Sequence, residues 1–167
     1  MNITLREITK ENFMDVCDLE VADDQKRHLS SNMESLLESK FYETMIPRAI
    51  YADDKPVGFI MGDRASDTKV GIFRFMIDFK FQNKGIGRSA LELAIAEIRQ
   101  IEGIKQIEIC YHPDNEIAKR LYLKIGFQEV GMDESGDDMW AEMSVWIFKA
   151  NQLIPFSHYV CTYYGCT

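Results

Sequence analysis

A mixed sheet flanked by helices, in one α/β (α+β mixed) domain, is the fold this sequence predicts. Three observations predict it. The apolar run Ile72-Phe73-Arg74-Phe75-Met76-Ile77 reads as a buried strand that feeds, through a glycine turn, into a helix-patterned segment. Short alternating segments lie on both sides of it, in the order strand, two helices, strand meander, helix, strand, helix and hairpin. The length of 167 residues, with 46% hydrophobic residues, suits one globular core and argues against disorder. No internal repeat or linker divides the chain.

Residues 3–8 alternate and read as the first strand. Thr9 is expected to cap the next element, with Asn12 and Phe13 in its first turns. Residues 11–43 are helical in pattern, with a break near Asp23 or Ser30-Ser31. Ser31 followed by Glu34 has capping-box spacing, so a second helix starts there. Pro47 is expected to end the helical region. Residues 48–52 and 57–61 read as a hairpin around Asp53-Asp54-Lys55-Pro56. Residues 63–69 form a polar loop, and 70–79 the central strand, apolar on both faces.

Residues 87–101 read as a helix whose stripe is Leu91, Ala94, Ile95, Ile98 and Ile101, ended by Gly103. Residues 105–111 alternate as a strand. Asn115 caps a helix through Lys124, with Ala118, Leu121, Tyr122 and Ile125 buried and Gly126 as its C-cap. Residues 127–132 and 139–148 form a last pair of strands around Ser135-Gly136-Asp137. The domain therefore spans residues 1–148. The tail, 149–167, is rich in Tyr and Cys and reads as an extra strand, a partner-binding arm or a read-through, with no catalytic role.

The net charge of -8 argues against a nucleic-acid partner and suits a cationic one, although solubility alone explains such a charge in most acidic proteins. No apolar run reaches the ~20 residues that span a bilayer, and the N-terminus lacks the order of a secretion signal. Both point to a cytoplasmic protein without membrane contact. Cys17, Cys110, Cys161 and Cys166 have no metal-site spacing, and His28, His112 and His158 do not complete one, so no metal is expected. Cys17 and Cys110 sit in apolar patterns and read as reduced core residues.

The chemistry is concentrated in Gln82-Asn83-Lys84-Gly85-Ile86-Gly87. Glycines at the start of a helix let the backbone approach a ligand, and the first helical N–H groups have no partner within the helix. Those donors and the positive end of the helix dipole suit a phosphate, and Lys84 and Arg88 add charge. The turn is neither GxxxxGK[ST] nor GxGxxG; it reads Q-x-x-G-x-G. The plain alternative is a glycine turn with solvated bases.

Downstream, residues 115–127 read N-E-I-A-K-R-L-Y-L-K-I-G-F. These two motifs, in this order and at this separation, resemble the GNAT N-acetyltransferase superfamily over residues 1–148. Within it, Pro47-Arg48-Ala49-Ile50-Tyr51, Pro56-Val57-Gly58-Phe59-Ile60-Met61 and residues 73–78 look most like bacterial spermine/spermidine (diamine) N-acetyltransferases. The resemblance implies a mostly antiparallel mixed sheet and acetyl-CoA as cosubstrate. It implies that Gln82, Asn83, Lys84, Gly85, Ile86, Gly87 and Arg88 take the pyrophosphate. Backbone groups of Phe75, Met76 and Ile77 would hold the pantetheine arm and acetyl carbonyl, with Asn115 and Ala118 beside it. Tyr122 becomes the candidate general acid for the departing sulfur. The plain reading of these residues is a core strand, a helix cap and a core tyrosine.

No general base is assigned. The family's strand carboxylate is missing from Ile72-Phe73-Arg74, and alternation can aim Asp78 elsewhere. The acceptor implied is a small-molecule amine, in first place a polyamine. Residues 1–54 hold twelve acids against six bases, and residues 128–142 hold six acids and no base. Glu20, Asp23, Asp24 and Glu34 are the candidate contacts, each weighed against a solvated helix face. The alternatives are another amine (amino acid, peptide N-terminus or aminoglycoside) and a non-catalytic acyl-CoA-binding module. Apolar strands in the final hairpin and tail allow a homodimer by edge pairing.

Overall fold

Alternation along each strand settles which side chains face which layer. The computed structural model describes residues 1–64 and 66–145. Its single sheet has seven strands: β1 (Ile3–Glu7), β2 (Met45–Ala52), β3 (Lys55–Asp63), β4 (Lys69–Ile77), β5 (Gln106–Tyr111), β6 (Gln128–Met132) and β7 (Met139–Ser144). Their spatial order is β1-β2-β3-β4-β5-β7-β6. Every neighbouring pair is antiparallel except β4 with β5, which run parallel. Parallel neighbours need a crossover, and α3 (Ile86–Ile98) supplies it.

Two cores follow. Ile50, Val57, Ile60, Val70 and Ile72 face α3 and α4 (Glu116–Ile125), where Leu91, Ala94, Ile95, Tyr122 and Phe127 complete the larger core. Ala49, Tyr51, Phe59 and Met61 face the other way and pack with Val16, Leu19, Leu29 and Leu36. Val16 belongs to α1 (Phe13–Cys17) and Leu36 to α2 (Asn32–Glu38); a 3₁₀ turn, Lys26–His28, lies between them.

Several sequence expectations need correction. The long helical region is only these short pieces. Asn12 stands directly before α1, and Thr9 caps the turn that leads into it: Thr9 Oγ1 accepts from the Glu11 N–H at 3.2 Å, and the Thr9 N–H donates to Asn12 Oδ1 at 2.8 Å. Pro47 lies inside β2, where it faces Met61. β1 reaches only as far as Arg48 on the other side, so the N–H that proline lacks had no ladder to join. The central strand stops at Ile77, and α3 stops before Ile101, which still packs on the larger core. Cys17 and Cys110 are free but only half-buried, and burial pushes both thiols up. The part of the last expected strand beyond Val145, with the tail, lies outside the described residues.

Candidate active site

The opening in the sheet comes from one surplus residue. Against β3, Arg74 pairs with Met61 and Ile72 with Gly62, so Phe73 has no partner. Such a bulge bends its strand and increases the local twist. It also reverses the alternation: Val70 and Ile72 face the larger core before it, Phe75 and Ile77 after it, and Met76 joins the smaller core. Gly71 makes room for the Phe73 ring, since a Cβ there would lie 2.9 Å from it. Pairing between β4 and β5 runs only from Lys69↔Gln106 to Ile72↔Ile109. Beyond that point the strands part around a cleft of about 550 Å³. The cleft passes through the sheet. Tyr111 and Tyr122 border it from the larger core, and Met76 from the smaller.

β4 gives this cleft a main-chain wall. The Met76 carbonyl lies against Gly58 of β3, where a Cβ would come within 2.5 Å of it. Alternation then turns the main chain of Phe75 and Ile77 toward the gap. The strand ends at Asp78, which is buried, with 2% exposure. Its carboxylate accepts from the Lys80 N–H at 2.9 Å and the Glu20 N–H at 3.2 Å. Asp78 is thus a structural cap that ties β4 to the α1–α2 connection.

The turn that follows is held in the same manner. Gln82 Nε2 donates to the Ile77 carbonyl at 2.9 Å and to Gln25 Oε1 at 2.8 Å. Asn83 (φ 60°) and Gly85 (φ 80°) are left-handed, and Gly85 occupies the position before the first residue of α3. Lys84 Nζ donates to the Lys80 carbonyl at 2.9 Å and lies over the Phe81 ring; Arg88 Nε donates to Glu92 at 2.8 Å. Of the residues that sequence motifs bring here, Phe75, Met76, Ile77, Gln82, Asn83, Ile86, Gly87, Asn115, Ala118 and Tyr122 line the cleft. Lys84, Gly85 and Arg88 stand outside its lining, beside the helix start.

α4 forms the opposite side. The Asn115 Oδ1 accepts from the Ala118 N–H at 3.1 Å, and Gly126 closes the helix at φ 115°. Between them Tyr122 is buried against Tyr111 and Phe127, its ring centroid 5.4 Å from that of Tyr111. Burial, then Cys110 and Tyr111, push the Tyr122 phenol far above its ordinary value, so it stays protonated throughout the neutral range. The Tyr111 hydroxyl donates to Glu129 at 2.6 Å, and Lys119 lies 3.0 Å from the same carboxylate.

The side chains around the rest of the cleft were not picked out one by one from sequence, Asp138 being read only within the acidic stretch 128–142. Arg27, His28, Arg74, His112 and Asp138 all line the cleft. No motif marks them, because four separate segments supply them. The acids proposed from sequence lie elsewhere on the α1–α2 side. Glu20 and Asp23 pair with Lys26 at 3.1 and 2.9 Å, and Asp24 is exposed. Glu34 completes the Ser31 capping box, whose hydroxyl and N–H hold its carboxyl below the ordinary range. Among the described residues, Asp138 is the carboxylate that lines the cleft. Among them too, no group of three or more His, Cys, Asp or Glu could hold a metal ion, and no helix is long and apolar enough to cross a membrane.

This arrangement has known counterparts. Residues 13–127 match the acetyltransferase (GNAT) family, and the chain belongs to it. A spermine/spermidine N(1)-acetyltransferase of Bacillus subtilis is 28% identical over 145 residues, 82% of this chain and 95% of that protein. Spermidine N-acetyltransferase from Vibrio cholerae, solved with CoA and spermine, superposes with a TM-score of 0.71 at 16% identity, covering 86% of this chain and 95% of that one. An aminoglycoside acetyltransferase solved with coenzyme A reaches a TM-score of 0.73 at 16% identity, over 86% and 95% of the two chains. These two solved structures bear on the fold alone.

Proposed function

We propose that this acetyltransferase moves the acetyl group of acetyl-CoA directly to a primary amine, a polyamine such as spermidine or spermine, within a ternary complex. One observation carries the donor half: β4 and β5 part at the Phe73 bulge, beside a left-handed turn that opens α3. The pyrophosphate would rest on the free N–H groups at the start of α3, with Lys84 and Arg88 released toward it. The pantetheine arm would run along the main chain of Phe75 and Ile77 into the gap. A neutral amine attacks the thioester carbonyl, and its N–C bond forms as the C–S bond breaks. Tyr122 donates its proton to the departing sulfur, which leaves as the free thiol, and the proton shed by the attacking nitrogen restores the phenol. Asn115 and Ala118 border the arm from α4.

The polyamine acceptor draws its support from the Bacillus relative and from charge. Asp138 ends a turn that also carries Asp133, Glu134 and Asp137 and no base. Remote ammonium groups would settle there. One observation favours a second acceptor class: Arg27 and Arg74 line the same cleft, and Arg74 Nε is buried without a hydrogen-bond partner. An amino acid or peptide would offer those cations a carboxylate. A panel of amines, read by release of CoA thiol, tests both. Turnover of spermidine or spermine supports the first; turnover confined to amino acids or peptides overturns it.

A further inference from the structure

The cleft has a second mouth, on the face of β5 and β7 turned away from α3 and α4. Ile107, Ile109 and Tyr111 of β5 and Ala141 and Met143 of β7 point into the larger core, so alternation sends Glu108, Cys110, Trp140 and Glu142 to the opposite face. The smaller core covers that face over β2, β3 and β4, and among the described residues none of its members comes from β5, β6 or β7. Cys110 pairs across the strands with Trp140, and Glu108 with Glu142. Phe73, Cys110 and Asp138 line the cleft, so the mouth leads directly to Trp140. Phe73 is 37% exposed, and its ring lies over Gly71. Trp140 is half-buried, and its partner on β6 is Gly131, where a Cβ would meet nothing within 4 Å. The charges here are mostly acidic. Glu108 and Glu142 stand opposite each other, which is repulsive. Lys69 bonds Glu108, while among the described residues Glu142 has no ion-pair partner. At the mouth, burial first, then Asp138 and Asp133, push the Cys110 thiol up, with Arg74 opposing; Glu38 answers Arg74 at 3.6 Å.

We infer that Trp140 and Glu142 are specificity-determining residues: the remote ammonium of a long polyamine leaves the cleft past Cys110 and rests on the Trp140 ring beside the Glu142 carboxylate. The inference rests on reading this cleft as the acetyl-transfer site and a polyamine as its acceptor. The amine that attacks the thioester has to be neutral, whereas the amines further along the chain stay charged and need a counter-charge. The face of an aromatic ring attracts a cation through its quadrupole, more strongly where water is partly excluded, and a neighbouring carboxylate adds to that attraction. The methylene links of a polyamine suit Phe73 and Trp140, and its ammoniums suit Asp138 at the mouth and Glu142 further out. A cation seated beside Glu142 also screens it from Glu108, which relieves a repulsion the free protein carries. A short diamine ends before Trp140 and gains nothing from this surface.

Steady-state kinetics on the full chain tests the subsite with spermine and with diaminopropane, which is the reactive end of spermine alone. The readout is the ratio of spermine KM to diaminopropane KM at saturating acetyl-CoA. Trp140→Leu is expected to raise it about tenfold and Glu142→Gln about fivefold. Glu142→Gln removes one of two facing like charges, so it keeps the fold and decides the matter if Trp140→Leu does not fold. A ratio unchanged in Glu142→Gln, whether both KM values stay or rise together, overturns the subsite. If neither amine reacts, the proposed function falls instead. Calorimetric titration of spermine into the CoA-saturated protein then decides the subsite, as it does if diaminopropane alone is inert. Binding about fivefold weaker in Glu142→Gln supports it, and equal or absent binding in both proteins overturns it.

Discussion

The two walls of the cleft are built by different means. One wall, from β4 through the Gln82–Gly85 turn to α3 and α4, consists of main chain fixed by caps. Asp78 ends the strand, Gln82 binds the Ile77 carbonyl, and Asn115 and Gly126 bound α4. The other wall, residues 18–31, has little regular structure. Side-chain contacts hold it: Glu20 N–H to Asp78, Gln25 to Gln82 and His28 against His112, while Asn32 Nδ2 joins the flanking α2 to the Val16 carbonyl of α1 at 2.8 Å. The first wall presents groups that every residue possesses. The second presents groups that depend on which residue stands at each place. A fold arranged this way keeps its main-chain wall while the side chains opposite vary.

Three substitutions break or sharpen that contrast. Gly58→Ala has the largest expected effect. Its methyl would sit 2.5 Å from the Met76 carbonyl and 2.8 Å from Ile77 Cδ1, so β3 and β4 must separate where the main-chain wall begins. Overpacking of this kind costs about 3 kcal/mol, and both the thermal midpoint and acetyl-CoA affinity by calorimetry should fall. Asp78→Ala comes next, because it cuts the joint between the walls. Two N–H groups lose their buried acceptor, which costs about 2 kcal/mol in denaturant unfolding. Unchanged stability would show that the walls are held independently. The smallest is Tyr122→Phe, which leaves the packing intact. It should lower kcat by about 10- to 100-fold with KM for acetyl-CoA unchanged. Full activity in that variant would remove the tyrosine from the chemistry.

What the sequence revealed was the locally encoded part. The Ser31–Glu34 box, the Asn115 cap and the left-handed Gly126 each act within one turn of chain, so their residues announce them. The main-chain wall was legible for the same reason: turn, helix and motif are contiguous. The bulge at Phe73 was not, because only the register against β3 makes that residue surplus. Nor was the role of Asp78, whose partner Glu20 is distant in sequence. The side chains around the cleft were hardest to read. His28, Arg74, His112 and Asp138 come together only through the topology, and acids that looked available at Glu20, Asp23 and Glu34 had partners nearby.

The inserted residue in β4 has a consequence of its own. An insertion is all or nothing: a strand carries the additional position or lacks it, and no series of point substitutions removes it by degrees. The aperture is therefore buffered against gradual drift in composition. Substitutions at the residues bordering it change what the cleft offers a ligand without removing the additional position that opens it.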